Sequence, residues 1–179
     1  MFRKFIVLII TCFFLTTNVF AAGGGGEGGG SGGGDGGSSG GEGGSAKVKT
    51  NYDRAVYHIK KAEKFESKGK LDKAKKRYAK AQKLLIKFNN KNPNDPNTLN
   101  YLGFTTRKLG DFEGGEKYYL LGLAVEPDHI GINEYLGELY VATGRHNLAI
   151  ERLQVLKGCN CEEYKQLEKI ISGEEISKY

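Results

Sequence analysis

Residues 96–127 read PNTLNYLGFTTRKLGDFEGGEKYYLLGLAVEP, and the order of small, apolar and chain-breaking residues in this stretch decides the fold. Leu99, Leu102 and Thr106 recur at helical steps, and Gly103 leaves room for a partner helix to approach closely. Gly110-Asp111 is a stop-and-turn signal, because glycine tolerates the backbone conformation that ends a helix. Phe112, Gly115, Tyr119, Gly122 and Leu123 then form a second stripe, and Pro127 holds a third helix apart. Shifted by 137 − 103 = 34 residues, Tyr101-Leu102-Gly103 becomes Tyr135-Leu136-Gly137, and Gly110 becomes Gly144. Neither helix of such a pair can bury its stripe alone, so neighbouring pairs must stack.

A helical pair repeating at this period, with a leucine-glycine step in its first helix, resembles a tetratricopeptide (TPR) unit. The pattern extends toward the amino end. Val56, Ile59, Ala62 and Phe65, with Tyr52 before them, mark a helix ending at Lys68-Gly69, and Leu71, Ala74, Tyr78, Ala81, Leu85 and Phe88 form one stripe of the next. This first unit departs from the template where Lys61-Ala62 replaces the leucine-glycine step. Its glycine-to-glycine offset is 110 − 69 = 41, seven residues over the repeat, which is about two helical turns. A longer second helix is therefore expected, ending near Asn89 or Asn90 before the chain-breaking Asn92-Pro93-Asn94-Asp95-Pro96. Further on, helices are expected over 130–143 and 147–157, the latter with Leu148, Ile150, Leu153 and Leu156 mostly inward and Gly158 as its cap. The expected fold is all-α: a right-handed superhelical array of three TPR-like hairpins, at about 52–92, 96–129 and 130–158. A capping helix over about 161–172 closes the 47–179 domain, with Tyr164, Leu167, Ile170 and Ile171 covering the last exposed stripe.

The preceding residues read as processing and spacer sequence. Arg3 and Lys4 come before the apolar run 5–15, a polar patch follows, and Ala21-Ala22 supplies small residues, the order of a secretory signal over 1–21. Retention of this segment as a membrane anchor is the alternative. Cys12 sits inside the greasy run and leaves with it. Residues 22–46 are a leader in which 23–44 alone hold sixteen glycines, a composition that cannot offset the entropy of ordering, so this segment is expected to be disordered. No strand precedes these glycines and no Lys-Ser/Thr opens a helix after them, so a phosphate loop is excluded.

Charge is unevenly spread behind the net +6: residues 45–92 carry sixteen Lys/Arg against four Asp/Glu, whereas 93–179 carry nine against fourteen. Lys73, Lys76, Lys80, Lys83 and Lys87 form a stripe of their own, which the TPR resemblance places on the outer, convex side. That stripe is either a solvated face or a docking strip for an anionic membrane or envelope polymer. Export argues against nucleic acid as the partner. The resemblance also implies that the first helix of each pair lines a concave groove, which puts Asn97, Asn100, Phe104, Arg107, Lys108, Glu134 and Glu138 there, with Val141 beyond. A groove of mixed sign suits an extended peptide, unless Arg107 and Glu138 pair with each other. The Lys/Asn clamp by which chaperone-binding TPRs hold a terminal carboxylate is not recognisable here.

Only Cys159 and Cys161 survive removal of the signal, and an oxidising compartment invites a bond between them. Gly158 and Asn160 allow the bend it needs; free or partner-linked thiols and half of a soft-metal site are the alternatives. Cys161-Glu162-Glu163-Tyr164 after the last repeat looks like small exported proteobacterial TPR proteins, a resemblance covering about residues 50–172. His58, His129 and His146 lie in separate elements without catalytic or metal-ligand spacing, so neither enzyme chemistry nor a cofactor is expected. The expected function is a non-enzymatic protein-interaction adaptor of the bacterial periplasm. The alternatives are a peripheral envelope component held by the basic first pair, and a subunit docked in a larger envelope machine.

Overall fold

The computed structural model describes residues 49–176. The signal and leader readings over 1–46 lie outside the described residues. Seven helices follow one another and, among the described residues, no strand interrupts them: α1 (Asn51–Glu66), α2 (Leu71–Asn89), α3 (Pro96–Lys108), α4 (Phe112–Val125), α5 (Ile130–Ala142), α6 (His146–Leu156) and α7 (Glu162–Ser172). They pair as the hairpins α1–α2, α3–α4 and α5–α6, each stacked on the next, and α7 closes the pile against α5 and α6. The fold is a TPR-like array.

Local chemistry sets the helix ends. Thr50 and Asp53 form a reciprocal capping box: the Asp53 amide donates to Thr50 Oγ1 at 3.1 Å and the Thr50 amide to Asp53 Oδ2 at 2.8 Å. Asp95 accepts from the Thr98 amide at 2.8 Å with Pro96 in the first turn, and Asp111 accepts from the Gly114 amide at 2.8 Å. His129 does the same job for α5, its Nδ1 accepting from the Ile132 amide at 3.1 Å. Gly110 and Gly144, one repeat apart, end α3 and α5 at φ +99° and +75°, where a side chain would be strained.

Small residues make the seams. A Cβ at Gly103 would overlap the ring of Tyr119, which is fully buried between α3 and α4. Gly122 receives the tip of Ile132, joining the second hairpin to the third, and Gly137 receives Leu167 of α7. Burying a side chain of this size stabilises by about 2–3 kcal/mol, so these contacts hold the stack together. Tyr78 stands one offset (119 − 78 = 41) before Tyr119 and is equally buried, with Ala62 in place of the seam glycine. Five of the seven extra residues of the first unit fall in α2, which runs 19 residues against 14 for α4 and ends at Asn89, and the other two fall in the connection after it, 90–95 against 126–129.

Three side chains stand otherwise than their stripes suggested. Ala55 is buried where Val56 is only half-buried. Leu71, at the first turn of α2, is 59% exposed because it opens onto the concave surface instead of the seam. Ile150 is 43% exposed because the inward stripe of α6 runs through Ala149 and Leu156, one residue out of phase with it.

Candidate functional site: the concave cleft

The concave faces of α1, α3 and α5, with α7 at one end, enclose a cleft of about 910 Å³. Its floor is aromatic and aliphatic. The Phe104 and Tyr135 rings lie 5.0 Å apart centre to centre, with Leu71 on one side and Ile170 on the other. Charged groups rim this floor in both signs, so the surface can take apolar side chains and polar backbone together.

Of the seven groove residues expected, Phe104, Lys108, Glu134 and Glu138 line the cleft. Three do not. Asn97 is exposed at the start of α3 beside a shallower hollow formed with Tyr52, Phe88, Asn92 and Asp95, and its Oδ1 lies 3.3 Å from His129 Nε2. Asn100 is buried at the α3–α5 seam, where its amide fills the space above Gly131. Arg107 turns beneath the floor. Its side chain is fully buried, Nη2 meets Glu138 Oε2 at 3.1 Å, and Nη1 donates to the Tyr135 carbonyl at 2.7 Å. The guanidinium also lies 5.6 and 5.9 Å from the Tyr135 and Tyr119 ring centres. Arg107 therefore binds α3 to α5 and supports the cleft floor from beneath.

Lys108 reaches across to α1. Its Nζ sits 3.0 and 3.3 Å from the two Glu66 oxygens, and Glu66 also accepts from the Tyr78 hydroxyl at 2.8 Å. Burial, reinforced by the Glu66 contact, pushes the Tyr78 hydroxyl well above its ordinary pKa. Glu134 is the most perturbed acid. Burial first, then the negative charges of Glu138 and Glu163, raise it to about 8 against the opposing pull of Arg107.

The first unit contributes Glu63, Glu66 and Ser67, which the expected set omitted. A usable signal existed: the 41-residue offset carries Phe104, Arg107 and Lys108 onto 63, 66 and 67. Gln166 and Ile170 come from the closing helix, whose role as a wall has no counterpart in the repeat pattern. Lys73, Lys76, Lys80, Lys83 and Lys87 are all exposed along α2 and none of them lines the cleft. Cys159 and Cys161 are joined in a disulfide, with Cα atoms 5.2 Å apart across Asn160, whose φ is +51°. The bridge lies immediately before α7, with Cys161 at its N-cap position.

The fold and cleft together define a class: an all-α, TPR-like array with a mixed-charge concave surface. No family model matches the chain, and no curated protein matches it. Among solved structures it is similar to the Arabidopsis OM64 TPR domain, at 15% identity and a TM-score of 0.44 over 70% of this chain and 99% of that one. It is also similar to the first TPR of Spaghetti (RPAP3), solved bound to the HSP90 peptide SRMEEVD, at 19% identity and a TM-score of 0.44 over 71% and 97%. A third likeness is to MamA protein, at 16% identity and a TM-score of 0.45 over 68% of this chain and 83% of that one.

Proposed function

We propose that this chain is a non-enzymatic interaction adaptor that holds an extended peptide segment of a partner protein in the concave cleft. The observation that carries this reading is the open cleft of about 910 Å³, with an aromatic floor and a rim of both charges. An extended segment presents alternating side chains and unpaired backbone groups, which such a surface can receive in turn. His58 lies against Arg77, His129 caps α5 and His146 opens α6, and no group of three metal-ligating residues occurs among the described residues. The periplasmic setting is part of the proposal and rests on the signal-like order of residues 1–21.

The test is site-specific photo-crosslinking in envelope extract, with the crosslinker at Leu71 in the cleft or at Lys80 on the outer face. A partner captured from Leu71 alone supports the adaptor. Capture from Lys80 alone overturns it.

A second reading is favoured by one observation: five lysines are exposed along one face of α2, and among the described residues no ion pair holds any of them. At about 1 kcal/mol per lysine near an anionic membrane, such a face would hold the array reversibly on an envelope surface, leaving the cleft accessible. Flotation with phosphatidylglycerol vesicles, lost as salt rises, tests it.

A further inference from the structure

One acid in the cleft has no counter-charge of its own. Glu134 opens into the cleft from α5 and keeps only 8% of its surface, yet no hydrogen bond or ion pair engages its carboxyl among the described residues. The cations nearby are committed elsewhere. Arg107 is bound to Glu138 and the Tyr135 carbonyl, and Lys108 to Glu66. The remaining charges around it are Glu138 on its own helix, Glu163 on α7, and Glu63 and Lys64 across the cleft on α1. The adjoining wall is the Phe104–Tyr135 ring pair, whose faces are electron-rich. A largely buried carboxyl that faces the cleft among acids and ring faces repels an anion and attracts a cation.

We infer that the α5–α7 end of the cleft is a receptor for a basic side chain, a lysine or arginine of the bound segment, whose charged head pairs with Glu134 beside Tyr135. This rests on the cleft being the peptide site. Its proton balance is explicit. Below about pH 8 the Glu134 carboxyl holds its proton, so capture of an ammonium or guanidinium releases that proton to solvent and leaves a carboxylate–cation pair. Binding therefore tightens as pH rises toward 8, until Glu134 is ionised before the guest arrives.

A displayed random-peptide library selected against the full chain provides the probe, and an enriched peptide is then synthesised with its basic residue intact or replaced by norleucine. Norleucine in the peptide, or Glu134→Gln in the protein, is expected to weaken binding about tenfold or more, and the two changes together no further. Titration calorimetry in two buffers of different ionisation heat should show proton release for the native chain and none for Glu134→Gln. Peptides that bind the cleft, as judged by loss with Leu71→Arg, but ignore both Glu134→Gln and norleucine, overturn the inference and leave the peptide-site reading standing. A library yielding no peptide sensitive to Leu71→Arg overturns both.

Discussion

Replacing Arg107 by Met removes the charged group that ties α3 to α5 while keeping a long apolar stem in place. The guanidinium makes a 3.1 Å contact with Glu138 and a 2.7 Å bond to the Tyr135 carbonyl, and its side chain has no exposed surface. Hydrogen bonds to a charged group contribute about 1.5–3 kcal/mol each, and removing one member of a buried pair costs about 3–5 kcal/mol because the other is left uncompensated. Glu138 is the group left behind, with 8% of its side chain exposed, so the upper half of that range applies. The described residues number 176 − 49 + 1 = 128, for which a total stability of about 6–19 kcal/mol is ordinary. Arg107→Met should therefore remove a large share of it. Urea unfolding followed by helical circular dichroism measures the loss as a shift in midpoint at unchanged slope. The double variant Arg107→Met/Glu138→Leu is expected to be more stable than Arg107→Met alone, since an apolar pair has no charge to leave uncompensated. A single-variant loss under about 1 kcal/mol, or a double variant no better than Arg107→Met, would refute the reasoning.

Glu134→Gln should raise the melting temperature near pH 8 and flatten its pH dependence. The folded pKa of about 8 exceeds the ordinary 4.5, so this acid's contribution is complete below about pH 4.5 and is lost as pH climbs through 8; melting curves at several pH values check it. Tyr119→Phe is expected to stabilise by about 1 kcal/mol, because the buried Tyr119 hydroxyl has no hydrogen-bond partner among the described residues; denaturant titration decides the sign. Gly103→Ala should destabilise by about 1–3 kcal/mol by driving a methyl into the Tyr119 ring, with recovery in Gly103→Ala/Tyr119→Leu by the same titration. Lys73→Gln/Lys80→Gln/Lys87→Gln should leave stability within about 0.5 kcal/mol while weakening vesicle flotation, because these positions are exposed.

The seams were legible because their logic is steric and local. Gly103, Tyr119 and Gly137 recur at intervals that a helix period turns into contacts, and Gly110 and Gly144 end helices wherever they fall. The cleft was legible at Phe104, Lys108, Glu134 and Glu138, whose register on α3 and α5 points them inward. Arg107 defeats the same reasoning: register places its Cα near the groove, but the long side chain runs sideways to a backbone carbonyl on α5 that no sequence pattern marks. Likewise Glu134 and Glu138 are the same residue type one helical turn apart. Only the placement of one guanidinium makes Glu138 an ion-pair partner and Glu134 a desolvated acid. Asn97 and Asn100 fell outside because the first two turns of α3 face the start of α5 and not the cleft.

The seat above Gly137 is taken by Leu167, a residue of the closing helix and not of any hairpin. Grafting another unit after Gly158 would first have to evict that side chain and open the Cys159–Cys161 loop behind it. An engineer lengthening this scaffold should therefore splice new modules between existing ones, upstream of α5, where every junction is already shaped to accept a neighbour.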